Sequence, residues 1–383
     1  MGKEKTVIPK IVITGGPCSG KSKGLAMLMR KLSEMGVMVV VVPETATDIY
    51  SRGVRIGEIE NDPERWKRFQ RVILKAQLDS ERTSSRLARI HPGKSKVIIC
   101  DRGAMDNMAY VEIDSFREIA RSVGFQNIGL LRDRYTAVFF LVSAAIGAED
   151  CYNQNNPQRR ETVAEAVKVD RKTLAAWIGH EHLTIIGNRK NGNPVTFSKK
   201  METLKAAVCH SLRIPVPIEI EKKFLVEFDN KPPEGAVAFD IFQTYLRRKT
   251  ADIERRVRAR VPVDHDISQS AACFYTEKKI ISDSEREEDD EILTAKEYAV
   301  FLKERDPERK NIRKRRFCFA WDDQYFQLDF FSEPLSLAVL EIELTDRCQI
   351  PILPDFLKVI RDVTGDARFR NDGIAAGLCP GYR

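Results

Sequence analysis

The segment of residues 15–22 constrains the fold of this chain more than any other. It reads G-G-P-C-S-G-K-S, follows an apolar run and opens a helical pattern, which is the context of a P-loop. In such a loop, backbone N–H groups surround the β-phosphate, the lysine reaches the β- and γ-phosphates, and the serine hydroxyl binds Mg²⁺. A glycine-rich turn without a ligand is the alternative. The candidate nucleotide-binding residues are Gly15, Gly16, Pro17, Cys18, Ser19, Gly20, Lys21 and Ser22.

Around this loop, short apolar runs alternate with helical patterns, which predicts an α/β P-loop NTPase fold with helices on both faces of a parallel sheet. The predicted strands are residues 11–14, 37–42, 97–100, 137–142 and 183–186. After a helical stretch at 201–212, the prolines of Ile214-Pro215-Val216-Pro217 hold the chain extended. We therefore expect an N-terminal domain of residues 1–212, a linker of residues 213–217 and a C-terminal domain of residues 218–383.

Two acidic residues follow predicted strands at the carboxyl edge of the sheet, where α/β folds bind ligands. Asp101 ends its strand and is a candidate second Mg²⁺ ligand, although strand-end aspartates also cap helices. Arg102 directly after it is placed to reach a phosphate. Glu44 is placed to act as a base or to hold a substrate hydroxyl, with a helix-start acid as the equal alternative.

A polar, turn-rich segment at residues 151–161 precedes the next helical pattern and contains two arginines. We interpret it as a lid over the phosphates whose arginines stabilise charge, with solvated loop arginines as the alternative. The candidate catalytic residues of this domain are Lys21, Glu44, Asp101, Arg102, Arg159 and Arg160.

Beyond residue 217 the pattern changes to a period of two, and many strands with turn-length gaps favour a barrel or a sandwich. Side chains two positions apart on a strand share a face, so the charged residues fall into aligned sets. The sets are Glu219, Glu221 and Lys223; Arg256, Arg258 and Arg260; Lys314 and Arg316; Gln327 and Asp329; and Glu341 and Glu343. A sheet with one solvated face would alternate equally well. The acidic run 285–291 predicts a charged turn or a strand edge.

Composition limits the class of protein. The longest apolar runs are far shorter than the roughly 20 residues of a membrane span, so we expect a cytoplasmic protein without one. The eight cysteines are scattered without a C-x-x-C pair, which predicts reduced thiols and no cysteine metal site. The net charge of +7 and local clusters of Lys and Arg imply anionic ligands. Nucleic acid is not expected, since the arginine-rich strands lack interleaved aromatic residues.

The P-loop, Glu44, the Asp101-Arg102-Gly103 step and the arginine-containing lid resemble small kinases of the nucleoside and nicotinamide riboside kinase type. The resemblance covers roughly the first 210 residues. It implies that residues 16–22 bind a purine nucleoside triphosphate, GTP or ATP, with Mg²⁺, and that a phosphoryl acceptor lies near Glu44. The chain departs from these kinases in having no recognisable acceptor-specific sequence.

The C-terminal half resembles a CYTH domain, the fold of triphosphate tunnel metalloenzymes. The residues that carry this resemblance are E-x-E-x-K at 219–223, Lys278 in Y-T-E-K, K-R-R-F at 314–317, L-E-I-E at 340–343 and G-D-A-R-F-R-N at 365–371. The resemblance implies a closed antiparallel β-barrel with a charged lumen. It implies polyphosphate binding by Lys223, Arg256, Arg258, Lys278, Lys314 and Arg316. It also implies Mg²⁺ or Mn²⁺ binding by Glu219, Glu221, Asp329, Glu341 and Glu343.

The two halves together resemble the TRPL translocation defect protein family, regarded as GTP-binding and phosphoinositide-binding trafficking factors. This resemblance implies a phosphoinositide headgroup as a second anionic ligand and peripheral contact with membranes. Three functions remain open from the sequence: a nucleotide-dependent regulatory binding protein, a small-molecule kinase and a tunnel-type triphosphatase. We favour the first.

Overall fold

The computed structural model describes residues 7–93, 95–152, 162–190, 192–214, 221–228, 231–248, 250, 253–263, 271–280, 286–344 and 350–379, without the side chains of 279–280 and 286–292. The chain divides into two compact units, Met1–Pro215 and Val216–Arg383. Most of the predicted linker lies outside the described residues, so its bounds stay a prediction.

The N-terminal unit alternates strands and helices along the chain. Its strands are β1 (Lys10–Thr14), β2 (Met38–Val42), β3 (Lys96–Asp101), β4 (Ala137–Leu141), β5 (Leu183–Ile186), β6 (Arg189–Lys190) and β7 (Asn193–Pro194). Its α-helices are α1 (Lys21–Glu34), α2 (Thr45–Ser51), α3 (Pro63–Ile90), α4 (Ile113–Ser122), α5 (Ile128–Arg132), α6 (Val163–Trp177) and α7 (Phe197–Ser211). Short 3₁₀ turns lie at Ile56–Glu58, Ala104–Tyr110 and Glu149–Cys151.

Strands β1 to β5 form one sheet in the order β2-β3-β1-β4-β5. All of its neighbouring strands run parallel, so the predicted α/β P-loop-like fold is confirmed. Strand β1 is central, and the chain reverses its winding direction on either side of it. The loop after such a strand lies at the switch point where open α/β sheets bind their ligands.

Burial of apolar side chains holds helices α1 and α7 against this sheet. Ile11 and Ile13 of β1 pack with Leu28 of α1 and Leu204 of α7, and all four are fully buried. Helix α3 begins where the Asp62 side chain accepts hydrogen bonds from two backbone N–H groups, a standard N-cap. Core burial therefore holds α1 and α7 against the sheet, and a side-chain cap sets the start of α3.

The C-terminal unit is built mainly of long antiparallel strands. Its strands are β8 (Glu221–Glu227), β9 (Val237–Leu246), β10 (Ile253–Pro262), β11 (Ala272–Ile280), β12 (Arg286–Leu293), β13 (Ile312–Trp321), β14 (Gln324–Glu333), β15 (Leu337–Glu343) and β16 (Lys358–Asp362). Its α-helices are α8 (Ala295–Phe301) and α9 (Asn371–Ala375), with 3₁₀ turns at Leu302–Glu304 and Ala367–Phe369.

These nine strands form one sheet in the order β12-β11-β10-β9-β13-β14-β15-β8-β16. The sequence predicted a closed barrel, and this is corrected: within the described residues no ladder joins the edge strands β12 and β16. Strand β16 has five residues and a register shift between Val359 and Arg361, so it offers little straight edge for closure. Residues 286–291 of the acidic run lie in strand β12 at the sheet edge, as one of the two alternatives predicted.

The large sheet has two different faces. One is apolar and buries Phe224, Phe319, Phe326 and Leu340 in a single cluster. The other carries the charged sets, and at one end of it the segment around Phe369 packs onto the strands. Within the described part of the chain, no helix is long and apolar enough to cross a membrane.

Candidate functional site

The P-loop connects the end of β1 to the first turn of α1 and contains three left-handed backbone positions. They are Gly15 with φ 143°, Cys18 with φ 57° and Gly20 with φ 94°. A Cβ atom on Gly20 would also lie 2.7 Å from the Phe197 ring, so this position requires glycine. The glycines thus let the chain curl in front of the N-terminus of α1, where N–H groups and the helix dipole favour an anion.

Lys21 folds back over this loop. Its Nζ atom donates to the carbonyl oxygens of Gly15 at 2.9 Å and Gly16 at 2.8 Å, and to Ser19 Oγ at 3.2 Å. Burial, with the nearby Arg102 guanidinium, lowers the pKa of Lys21 to about 8. Ser22, the predicted Mg²⁺ ligand, is exposed on the first turn of α1. The ammonium is therefore held at the loop by neutral oxygens that a phosphate can replace.

Asp101 ends β3, the strand that pairs with β1 on one side. Its Oδ1 atom is buried and accepts no hydrogen bond within the described residues. Burial and the neighbouring Glu44 raise the pKa of this carboxyl, whereas Lys21 opposes the shift. A buried carboxylate oxygen without a partner fits a bound cation or its water, so this donor set is compatible with Mg²⁺.

Arg102 is mostly buried and forms an ion pair with Glu44. Its Nε donates to Glu44 Oε1, and its Nη1 lies 3.4 Å from the Gly15 carbonyl oxygen. Burial raises the pKa of Glu44, but Arg102 and Lys21 outweigh this, and the pKa lies below its usual value. The Glu44 carboxylate is therefore ionised and bound to the Arg102 guanidinium. These two properties make it a weak base.

The lid arginines Arg159 and Arg160 lie outside the described residues. Helix α6, which follows them, begins with a capping box between Thr162 and Glu165. The predicted helix start after the polar segment is therefore present, and the role of the two arginines stays a prediction.

The sequence did not reveal Asp170, which braces the P-loop from α6. Its Oδ1 accepts the backbone N–H of Gly16 at 2.8 Å and that of Ser143 at 3.0 Å. Its carboxylate is buried on the same face of α6 as Ala166 and Trp177. A helical pattern of Ala166, Asp170, Thr173 and Trp177 was the available signal, because it places an acid on a buried face.

A second buried polar group supports the neighbouring loop after β4. Lys200 Nζ donates to the Val142 carbonyl at 2.6 Å and to Asn188 Oδ1 at 2.7 Å. Asn188 Nδ2 in turn donates to the Ser143 carbonyl at 2.8 Å. These contacts hold the backbone of Ser143 in place. The Ser143 hydroxyl in turn donates a hydrogen bond to the Pro17 carbonyl oxygen of the P-loop.

In the C-terminal unit, strand register places most of the predicted charged residues on one face. Glu341 pairs across the sheet with Lys223 on β8 and with Gln327 on β14. Arg316 pairs with Asp329, two positions from Gln327 on the same face. The described face thus has the mixed charge that the alternation predicted, and we call it the charged face: Glu221, Lys223, Glu254, Arg256, Arg258, Arg260, Lys278, Lys314, Arg316, Asp329 and Glu341.

Ion pairs connect the centre of the charged face. Arg316 binds Asp329 through two bonds of 2.6 Å each and Glu341 at 2.9 Å. Lys223 binds Glu341 at 2.8 Å and Glu221 at 3.1 Å, and Lys314 binds Asp329. Lys223 and Arg316 outweigh the effect of burial and hold the pKa of Glu341 far below its usual value. Burial lowers the pKa of Lys314 to about 8.

Three arginines of β10 lie on the same face and are buried: Arg256, Arg258 and Arg260. The Arg260 guanidinium lies over the Phe239 ring at 3.7 Å, and Arg258 lies over Phe274 at 5.2 Å. The sequence aligned Arg260 with the other two but did not assign it to ligand binding. Lys278 is half-buried on the adjoining strand, where it pairs with Glu254.

The predicted metal ligands of this unit have different surroundings. Glu219 lies outside the described residues, and Glu343 is exposed at the end of β15. Asp329, Glu341 and Glu221 each contact at least one lysine or arginine. Among the residues that the structure describes, no group of three or more His, Cys, Asp or Glu side chains could hold a metal ion. The described carboxylates at the centre of the face are thus engaged by cationic side chains, and the full metal assignment, which includes Glu219, stays a prediction.

One protein-family model matches a stretch of the N-terminal unit. Residues 10–193 match a family model described as an AAA domain. This stretch contains the P-loop, β1 to β5 and Asp170, so the N-terminal unit contains a P-loop NTPase-like domain. No curated protein sequence matches the chain.

Several solved structures resemble part of the chain. A hypothetical protein, NE1496, is 26% identical, over 41% of this chain and 97% of its own, with a TM-score of 0.29. A structure titled as the inorganic triphosphatase NE1496 is also 26% identical, over 41% and 94%, with a TM-score of 0.28. A protein from Pyrococcus horikoshii OT3 is 18% identical, over 34% and 80%, with a TM-score of 0.25. These TM-scores are low, and the fold and site described above rest on this chain's own strand order and side-chain geometry.

Proposed function

We propose that this chain is a regulatory protein that binds a purine nucleoside triphosphate with Mg²⁺ in its N-terminal unit and a second, polyphosphate-like anion in its C-terminal unit. One observation carries the first part. The Lys21 ammonium rests on replaceable carbonyl oxygens of the P-loop, beside a buried Asp101 oxygen that accepts no hydrogen bond from the part of the chain that the structure describes.

Nucleotide binding would exchange partners around Lys21. The β- and γ-phosphate oxygens would take the place of the Gly15 and Gly16 carbonyls, while backbone N–H groups at the start of α1 bind the β-phosphate. Ser22 and Asp101 are the residues that would hold Mg²⁺ or its waters, and the ion would neutralise charge between the phosphates. No residue of the described site distinguishes GTP from ATP.

The charged face supports the second part of the proposal. Its buried guanidinium and ammonium groups suit clustered phosphate oxygens, which a linear polyphosphate and a phosphoinositide headgroup share. Binding a headgroup would bring the protein to a membrane surface, as in the TRPL translocation defect proteins that the sequence resembles. We extend that resemblance to ligand classes only.

A regulatory role is favoured over a kinase by the state of Glu44. As a base for a substrate hydroxyl, Glu44 would need a free carboxylate with a pKa near the working pH. Its carboxylate instead binds Arg102 and has a lowered pKa. Slow turnover of ATP and GTP is therefore expected both without and with an added acceptor.

The two-site proposal is tested by calorimetric titration of matched variants with GTP, ATP, tripolyphosphate and a soluble phosphoinositide headgroup. Lys21→Ala should abolish nucleotide binding and leave headgroup binding intact. Arg256→Ala combined with Arg258→Ala should do the reverse. Equal loss of both ligands in either variant would contradict two separate sites.

Turnover assays separate the remaining alternatives. A kinase would consume ATP or GTP rapidly once a nucleoside-like acceptor is added. A triphosphatase would release phosphate from tripolyphosphate with Mg²⁺ or Mn²⁺ even after Lys21→Ala. Fast turnover in either assay would replace the regulatory proposal with an enzymatic one.

A further inference from the structure

The carboxylates at the centre of the charged face already have cationic partners. Both oxygens of Asp329 bind Arg316, and Oδ2 also binds Lys314. Glu341 Oε1 binds Lys223, and its Oε2 binds Arg316. Asp329 is fully buried and Glu341 is 7% exposed, so these contacts are little screened by water.

A divalent cation at this place would have to displace those partners. Mg²⁺ and Mn²⁺ require several oxygen ligands in a near-octahedral arrangement. Displacement would leave Arg316 and two lysines buried beside the ion, and like charges at such distances repel strongly. The described residues also contain no group of three acidic, cysteine or histidine side chains that could hold a metal.

The same geometry suits an anion directly. Lys223, Lys314 and Arg316 are held in place by the carboxylates, so their ammonium and guanidinium groups lose little freedom when a ligand arrives. Across the neighbouring strand β9, Arg256 and Arg258 add buried positive charge on the same face. Fixed cations can neutralise clustered phosphates, which is the task that a metal ion performs in other polyphosphate sites.

We propose that the charged face binds clustered phosphate groups without a divalent metal, because Lys223, Lys314 and Arg316 occupy the carboxylates that would otherwise hold one. This inference rests on the proposed function of the face. It makes the carboxylates positioning residues for cations, and it makes the face a binding site that is not built for metal-assisted hydrolysis.

The first experiment titrates Lys21→Ala protein, whose P-loop is impaired, with tripolyphosphate in EDTA and again in excess Mg²⁺. We expect binding in EDTA to be at least as tight as in Mg²⁺, since Mg²⁺ masks the phosphates of the free ligand. Binding only in Mg²⁺ or Mn²⁺ would overturn the metal-free inference and leave the proposed function standing. Absence of binding in every condition would overturn the proposed function of the face.

A second experiment in EDTA distinguishes a lipid headgroup from a free polyphosphate as the ligand. Phosphatidylcholine vesicles that contain a phosphoinositide are sedimented with the same protein, with undoped vesicles as the control. Sedimentation with doped vesicles only identifies a lipid headgroup as a ligand. Tripolyphosphate binding without sedimentation identifies a free polyphosphate, and both outcomes support the inference.

Removing the charge of one carboxylate gives effects of opposite sign for metal-free and for metal-dependent phosphate binding. Glu341→Gln removes one negative charge beside Lys223 and Arg316, while Glu221 and Asp329 still hold these two cations in place. Tripolyphosphate should therefore bind roughly threefold to tenfold more tightly in EDTA. A metal ligand replaced in this way would weaken binding instead. If Glu341→Gln does not fold, as judged by circular dichroism, Glu221→Gln gives the same test, since its side chain is 36% exposed and contacts Lys223. Weaker binding by the folded variant would overturn the inference.

Discussion

The Asp170 carboxylate accepts a hydrogen bond from the backbone N–H of Gly16 at 2.8 Å, although the two residues lie 154 positions apart. The same oxygen accepts the N–H of Ser143 at 3.0 Å. One buried oxygen therefore joins the first turn of the P-loop to the loop after β4. Because a Cβ on Gly16 would lie 2.4 Å from this oxygen, the contact also explains why residue 16 is a glycine.

Replacing Asp170 should weaken nucleotide binding without touching the nucleotide. Asp170→Ala leaves two buried N–H groups without an acceptor, which costs about 1–3 kcal/mol in stability, and nucleotide affinity should fall roughly tenfold. Asp170→Asn keeps an oxygen acceptor and should lose less. Thermal melts and calorimetry measure both quantities. Equal behaviour of Asp170→Ala and the wild type would show that the contact does not order the loop.

Replacing Asp101 should impair nucleotide binding only when Mg²⁺ is present. Asp101→Asn turns the carboxylate into a neutral amide, which is a weaker ligand for Mg²⁺. Nucleotide affinity in Mg²⁺ should therefore fall about tenfold or more. In EDTA the variant and the wild type should bind equally. The exposed Asp114→Asn is the matched control and should change neither value. An equal loss in EDTA would point to a structural role for Asp101.

Nucleotide affinity should depend on pH through Lys21. Its pKa is lowered to about 8 in the free protein, and bound phosphate would raise it. Affinity should therefore be constant below pH 8 and fall above it, by up to tenfold per pH unit, with proton uptake on binding. The terminal phosphate is already ionised in this range. Calorimetry in two buffers of different ionisation enthalpy measures the uptake, and identical heats above pH 8 would contradict it.

The stability of the N-terminal unit should depend on a buried ion pair. Lys10 and Glu81 are 2.7 Å apart with side chains 13% and 0% exposed, and Tyr135 also binds Glu81. Glu81→Gln leaves Lys10 without its counter-charge and should cost about 3 kcal/mol in the free energy of unfolding.

The matched control for this prediction is the pair of Lys31 and Glu34, also 2.7 Å apart but with side chains 38% and 52% exposed. Glu34→Gln should change the denaturation midpoint little, because solvent screens this pair. Denaturant unfolding of both variants gives the comparison. Similar midpoints for the two variants would show that burial is not the deciding factor.

The sequence predicted those parts of the structure that depend on local pattern. The P-loop, its flanking elements and the parallel sheet follow from glycine spacing and apolar periodicity. The alternation of charges likewise aligned Lys314 with Arg316 within one strand, and Glu341 with Glu343 within another, since a strand has a fixed period of two. Whether a segment is a helix or a strand, and which of its side chains share a face, can therefore be predicted without knowing which strands are neighbours.

The sequence could not predict which groups meet across strands and loops. Binding of Glu341 by both Lys223 and Arg316 depends on the order β13-β14-β15-β8, which periodicity does not contain. The contact of Asp170 with Gly16 depends on the packing of α6 near β1. Barrel closure depends on the edges β12 and β16, whose residues give no pairing signal. All three properties are long-range. The Glu341 and Asp170 contacts decide the chemistry of the two sites.

The C-terminal unit buries Phe369, Ile374 and Cys379 in one cluster with Leu225 of its first strand. Its core therefore needs residues from near both ends of the unit's sequence. During synthesis this unit cannot complete its core until residue 379 has left the ribosome. The N-terminal unit has its five sheet strands by Ile186 and its last helix by Ser211, so it can fold while the other unit is still being translated.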